Sequence, residues 1–315
     1  MKKKIAALLL GAMMVGGNEF SIALMPQTYA AKLSSITDSA ASMIYAKMSL
    51  QELLQEGNRL FEAKQYGRSR IAYEEAIKRD PSCADAHVGI GKSWWPNGEK
   101  NTANAERAKS FFEKAITVAP ENPSGYFWLG IYYDILDQQN EALSNYTQAA
   151  NLASDDPGIH YWLGQYCEKC NNYTGAINAY ETATELFPEN INFPILLAES
   201  YTVSKSFGQA LQCAEEYMNN PYAEQSTEYH VRLYHVIGVC HLQQSDYPAS
   251  IEAANQAIAY DPNDVKGYRI LAKCYELSND IDNAIEASGK GAQIAYQSSL
   301  LHEAIKLYKI QGKLY

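Results

Sequence analysis

The stretch YFWLGIYYDILDQQNEALSNYTQAA, residues 126–150, is answered 34 residues later by HYWLGQYCEKCNNYTGAINAYETAT, residues 160–184. Leu129-Gly130 aligns with Leu163-Gly164, and Ala142 with Tyr146 aligns with Ala176 with Tyr180. Each copy holds two runs of roughly 12 to 15 residues whose apolar spacing is near 3.6, the period of an amphipathic helix. Small residues such as Gly130 and Ala142 let two helices approach closely. Large ones such as Tyr126 and Tyr146 fill the remaining space. The spacing therefore predicts a helical hairpin, which cannot bury its apolar face alone and must stack on a neighbour.

The same ruler extends in both directions. Gly57, Gly91, Gly130, Gly164, Ala198, Gly238 and Ala272 are separated by 34, 39, 34, 34, 40 and 34 residues. Prolines repeat the beat: Pro81 to Pro120 is 39, Pro120 to Pro188 is 68, and Pro188 to Pro262 is 74. Proline lacks an amide donor, so Asp80-Pro81, Phe187-Pro188 and Asp261-Pro262 read as helix breaks. Ser49-Leu50-Gln51-Glu52 has the form of a capping box that opens the first helix. Two insertions interrupt the period. One adds five residues around Pro96–Lys100 and the other adds six between Asn219 and Glu228.

These residues resemble the tetratricopeptide repeat (TPR), with its W-x2-L-G-x2-Y, A-x3-F and terminal P pattern. The third unit has Tyr126, Leu129, Gly130, Tyr133, Ala142 and Tyr146; the fourth has His160, Leu163, Gly164, Cys167, Ala176, Tyr180 and Pro188. The first unit matches at Leu53, Gly57, Leu60, Tyr73, Ala76 and Pro81, and the sixth at Tyr234, Gly238, Ala257 and Pro262. The seventh is weaker. The fifth departs most, with Pro194 at the opening aromatic and Tyr217 where Ala is usual. The resemblance implies an all-α fold, a right-handed α-solenoid (superhelix) of about seven TPR helix-turn-helix units over residues 49–296. Residues 297–315, containing LLHEAIKLYKIQGKLY, read as a C-terminal capping helix whose lysines leave one face wet. Residues 31–48 form a leading segment with room for a helix over 34–48.

In the family, the first helix of each unit lines a concave groove that binds protein or peptide partners. The resemblance places Lys92 and Trp95 of the second unit there, and Phe127, Ile131 and Asp134 of the third. Tyr161, Gln165 and Glu168 follow from the fourth, and Asn192, Ile195, Glu199 and Thr202 from the fifth. Arg232, His235, Arg269, Lys273 and Glu276 complete the face in the last two units. The expected groove is aromatic toward one end and cationic toward the other, suited to an extended or helical peptide. Trp94-Trp95, beside the first insertion, is the expected hot spot, with Trp94 at a core position. The recurring Lys and Asn of a two-carboxylate clamp are not sustained: Asn58 and Lys92 are followed by Ile131 and Gln165.

The remaining features bound the function. Residues 1–30 read as an export signal: Lys2, Lys3 and Lys4 precede 13 apolar residues, Ile5 to Gly17, and Thr28-Tyr29-Ala30 suits cleavage after Ala30. Cleavage after Ala23 is a second option. The apolar run is too short to span roughly 30 Å of hydrocarbon, so no stable membrane span is expected after cleavage. The formal charge is −10, which disfavours nucleic acid as a partner. Gly89-Ile90-Gly91-Lys92-Ser93 imitates the end of a phosphate loop, but Ala86 stands where an earlier Gly is required. No nucleophile with its base, no metal set and no cofactor motif is evident. The expectation is an exported binding scaffold (periplasmic, cell-surface or secreted), not an enzyme. A thiol-redox or metal-handling role for Cys167 and Cys170, which form a CxxC, is the alternative. A self-associating envelope component is a third reading.

Overall fold

The computed structural model describes residues 44–100, 102–298 and 300–314, which hold fifteen α-helices and no strand. The expected signal, residues 1–30, and most of the leading segment lie outside the described residues. Seven helical pairs follow in order: α1 (Leu50–Glu62) with α2 (Tyr66–Arg79), α3 (Ala84–Trp94) with α4 (Ala103–Val118), and α5 (Pro123–Ile135) with α6 (Gln139–Leu152). Next come α7 (Pro157–Lys169) with α8 (Tyr173–Leu186), α9 (Asn192–Val203) with α10 (Phe207–Tyr217), α11 (Thr227–Gln243) with α12 (Tyr247–Tyr260), and α13 (Val265–Leu277) with α14 (Ile281–Gln297). A last helix, α15 (Leu301–Leu314), stands at the expected cap.

Local chemistry sets the ends. Ser49 and Glu52 form the reciprocal capping box: the Ser49 amide donates to Glu52 Oε2 at 2.7 Å, and the Glu52 amide to Ser49 Oγ at 3.3 Å. Asn122, Asp156, Ser226 and Asp264 cap later first helices with their side-chain oxygens. The turn inside each pair repeats as faithfully as the helices. Lys64, Gly98, Asp137, Asn171, Lys205, Ser245 and Asn279 all have left-handed backbone, with φ between 56° and 66°. Each lies seven residues beyond its unit's small residue of the ruler. Six of these turns are Schellman caps: the next amide reaches back five residues, as Asn172 does to the Cys167 carbonyl at 2.8 Å. Six of the seven positions carry a side chain, accepting a conformational cost to keep the hairpin angle.

Packing explains the ruler. In unit four a Cβ on Gly164 would lie 2.5 Å from the Tyr180 ring, so that ring occupies the space above the bare backbone. Gly57 meets Tyr73 and Gly130 meets Tyr146 in the same way, always sixteen residues apart, and Gly91 meets Phe112 across the five-residue insertion. The GIGKS stretch, which imitated a phosphate loop, is thus a buried helix interior whose glycines admit Tyr73 and Phe112. The C-terminal units fill the corresponding place with small pairs: Ala198 and Ala214, Gly238 and Ala254, Ala272 and Ser288. Each second helix packs on its own first helix and on the next unit's first helix. First helices also pack on one another, α1 on α3, α3 on α5, α9 on α11, α11 on α13 and α13 on α15.

At the front, Tyr45 is buried against unit one, and the Arg79 guanidinium donates to the carbonyls of Tyr45, Ala46 and Met48. At the back, Ala304 and Leu307 of α15 are buried while Lys306 and Lys309 stay exposed. The second insertion forms the loop 218–226, which buries Ala223.

Replacement of Gly164 by Ala is expected to lower stability by about 1–3 kcal/mol, because the Tyr180 ring cannot withdraw without unpacking its helix. Gly208→Ala, where nothing lies within 4 Å of the added carbon, should instead be neutral or stabilising by less than about 1 kcal/mol. Urea unfolding midpoints of the two variants distinguish these outcomes.

Candidate interaction surface

The first helices leave one face that the second helices do not cover, and its two halves differ in chemistry. Toward the N-terminus the face is aromatic. The Lys92 ammonium lies over the Phe61 ring at 4.9 Å and over the Trp128 ring at 4.8 Å, joining α1, α3 and α5. Burial among these rings holds its pKa below the ordinary lysine value. Phe127 meets Trp128 edge-on at 6.1 Å and Trp162 at 6.2 Å; Tyr161 meets Trp162 at 6.0 Å and Phe193 at 5.6 Å. The rings form a continuous run from α5 through α7 to α9. Trp162 is 46% exposed, a large apolar side chain kept in water. Ile131 and Gln165 are half-buried on the same helices.

From the C-terminal ends of α5 and α7 onward the face is ionic, and most of its charges are paired between neighbouring first helices. Asp134 pairs with Lys169 across α5 and α7. Glu199 receives two bonds from the Arg232 guanidinium, at 2.6 and 3.0 Å, across α9 and α11. Arg269 reaches Glu303 on α15 at 2.6 Å. His235 Nε2 lies 2.6 Å from Asp264 Oδ2, whose carboxylate also caps α13. Lys273 pairs with Glu276 within α13 at 2.9 Å. Glu168 is internal glue: it accepts from the Tyr180 hydroxyl at 2.9 Å and from Ser200 Oγ at 2.7 Å, tying α7, α8 and α9 together.

Three expectations are corrected. Trp95 does not project from the first-helix face. It is 5% exposed, packs against Tyr132 at 5.5 Å, and donates its indole N–H to the Glu99 carbonyl at 2.8 Å. The helix ends at Trp94, ahead of Pro96, and the insertion folds Trp95 inward. Trp94 is not simply core either: its ring lies between the Arg70 and Arg107 guanidiniums, at 3.9 and 4.6 Å, among residues of α2 and α4. Ile195, expected in the groove, is fully buried with Tyr180 and Leu233. The sequence reading also missed Phe61, Trp128, Trp162 and Phe193. The doublets Phe127-Trp128 and Tyr161-Trp162, one period apart, carried the signal for two of them.

The CxxC gains no support as a reactive pair. All six cysteines are free thiols, and Cys167 is buried at the usual ring position of its helix. Burial, with Cys170 nearby, pushes its thiol from 9.0 up to about 11, away from the thiolate that redox chemistry requires. Among the described residues no three His, Cys, Asp or Glu side chains converge as a metal set. No described helix is long and apolar enough to cross a membrane.

Comparison with known proteins agrees with this architecture. Three family profiles described as tetratricopeptide repeat match residues 54–105 and 238–300, 111–144, and 157–190. Superkiller complex protein 3 of Mus musculus is 28% identical over 92 residues, 29% of this chain, and the match spans 6% of that protein's length. Among solved structures, Naa15/Naa10 bound to HypK-THB aligns over 85% of this chain and 39% of its own, at 17% identity and a TM-score of 0.58. YrrB, described as a TPR protein with an unusual peptide-binding site, aligns over 63% of this chain and 96% of its own, at 18% identity and a TM-score of 0.51. At these identities the likeness to solved structures is one of fold.

The buried thiols and phenols predict an alkaline limit. Desolvation raises Cys167 to about 11, Cys213 from 9.0 to about 12, and Tyr73 and Tyr229 from 10.0 to about 12. The fold thus holds the protonated forms, while the unfolded chain releases its protons at the ordinary values. This contribution is intact below about pH 9 and is lost as pH rises toward about 12. Unfolding midpoints, followed by the helical signal, should be flat just below about pH 9 and fall above it. Midpoints that stay flat to about pH 12 would contradict this assignment.

Proposed function

We propose that this chain, whose units are tetratricopeptide repeats, is an exported scaffold that binds a protein or peptide partner along its first-helix face. The observation that carries the reading is the connected run Phe127, Trp128, Trp162 and Tyr161, in which Trp162 is 46% exposed and the other three are half-buried. The rings that tighten the helix pairs, Tyr73, Tyr146 and Tyr180, are by contrast buried. An exposed indole costs solvation without aiding the stack, and Trp and Tyr are the residues on which binding energy concentrates. The paired charges farther along the face supply orientation more than affinity. An extended or helical peptide spans such a row of ridges. YrrB's described peptide-binding site, on the same fold, is compatible with this use. The acidic charge of the chain argues against nucleic acid.

Export rests on residues 1–30 alone. Intact mass of the protein purified from its native host should correspond to a start at Ala31, or at Leu24 if the earlier site is used; a start at Met1 would remove export from the proposal.

The binding face is tested with a photo-crosslinking residue at position 162, compared with one at Gln148, exposed on second helix α6. Discrete adducts are expected from position 162 only. Trp128→Ala, in the chain that crosslinks from position 162, should weaken capture by roughly 10-fold or more, the loss of one hot-spot residue, at a temperature where the helical signal is retained. Equal adducts from both positions, or capture indifferent to Trp128, would discard the reading.

A further inference from the structure

The cap helix does more than close the stack. α15 packs on α14 and on α13, where the first helix of an eighth unit would lie. Between α11, α13 and α15 the first-helix side opens into a cleft of about 420 Å³. Its floor is aliphatic: Val239 and Leu242 from α11, Ile270 from α13 and Ile310 from α15. Its rim carries Arg269, Lys273, Lys306 and Lys309. Glu276 is the carboxylate of the rim, and Glu303, outside the lining, pairs with two of its cations, so both are engaged. Glu303 uses one oxygen for Arg269 at 2.6 Å and the other for Lys306 at 2.9 Å; Glu276 accepts from Lys273 at 2.9 Å. Four cations thus face two carboxylates, in a chain of formal charge −10. Farther along the same face the pairs are one to one, as Asp134 with Lys169 and Glu199 with Arg232.

We propose that this cleft is a docking site for an acidic peptide segment, one carrying an aliphatic or aromatic side chain between carboxylates. The apolar side chain takes the aliphatic floor, and the carboxylates meet the ammonium donors of Lys273 and Lys309. An ammonium has three donors and can serve an internal and an incoming carboxylate together. Charge complementarity selects this occupant: a basic segment meets like charge, and a neutral one leaves the rim unanswered. The site needs the cap, because α15 supplies Lys306, Lys309 and Ile310. The proposal refines the protein-binding reading by naming the chemistry of one partner segment, and it does not depend on the aromatic run.

The test uses the full mature chain and three fluorescein-labelled synthetic peptides. One alternates Glu and Asp with Leu and Phe; in the second the acids are Gln and Asn; in the third they are Lys. Fluorescence anisotropy is expected to show saturable binding of the acidic peptide only, weakening as salt is raised. Lys273→Glu with Lys309→Glu should weaken it by roughly tenfold, whereas Trp162→Ala leaves it unchanged. Lys309→Glu alone, on an exposed position, should weaken it in the same direction and guards against misfolding of the double variant. Equal binding of the neutral peptide, no binding of the acidic one, or indifference to both lysine variants would overturn the proposal. So would a single-stranded oligonucleotide that binds there instead, or a dimer that Lys309→Glu dissolves, which would assign the cleft to a second copy. Loss of acidic-peptide binding in Trp162→Ala would move the site to the aromatic run, ending this proposal and leaving the binding reading intact. Adducts from position 162 without acidic-peptide binding would do the same.

Discussion

The contact on which the solenoid depends is a ring laid over a residue that has no side chain. Tyr180 over Gly164 and Tyr146 over Gly130 draw the two helices of a unit together and fill the space between them in one step. A β-carbon on the glycine would press into the ring, and a smaller residue in place of the ring would leave a void. The C-terminal units solve the same problem with two small residues. In both kinds of unit a hydroxyl can join the helices: Ser69 donates to the Gly57 carbonyl at 2.9 Å and Ser250 to the Gly238 carbonyl at 2.7 Å, and Cys274 Sγ lies 3.0 Å from that Ser250 oxygen. Both solutions keep the hairpin tight enough for its neighbour to reach first and second helix together.

That dependence explains why the period was legible in the sequence. A residue that must be Gly or Ala, a ring sixteen positions on and a proline at the exit are constraints on single residue types, and they survive in the letters. The left-handed turn was not legible. Lys64, Lys205 and Ser245 occupy a conformation that glycine or asparagine would announce, so only their distance from the ruler marks them. The capping box at Ser49 was legible because both of its partners lie within one turn.

The face was legible only in part, and the failures have separate causes. Trp95 was assigned by counting along a helix that stops one residue earlier; Pro96 was the warning, since it disfavours helical backbone at the preceding residue. The ion pairs toward the C-terminus were not legible, because a residue pattern does not display partners 29 to 35 positions away. Glu199 with Arg232 and Arg269 with Glu303 become visible once the helices are stacked. The indoles, Trp128 half-buried and Trp162 exposed, were hidden by the opposite bias: a tryptophan beside an inward-packing leucine, as in Trp128-Leu129 and Trp162-Leu163, is easily assigned to the core with it.

The cap links stability to surface chemistry. A solenoid has no natural end, and its last helix must be apolar inward and strongly hydrated outward. α15 meets this with Ala304 and Leu307 facing α14 and α13, and with Lys306 and Lys309 in water. Lysine suits the task because its long stem covers aliphatic surface while its charge stays solvated. Placed beside Arg269 and Lys273, those same solubilising lysines raise the local positive charge above what the nearby carboxylates neutralise. The feature that distinguishes this region of an acidic chain therefore follows from how α15 packs on α13 and α14, and the aliphatic side chains beneath the lysines stay open on the first-helix side.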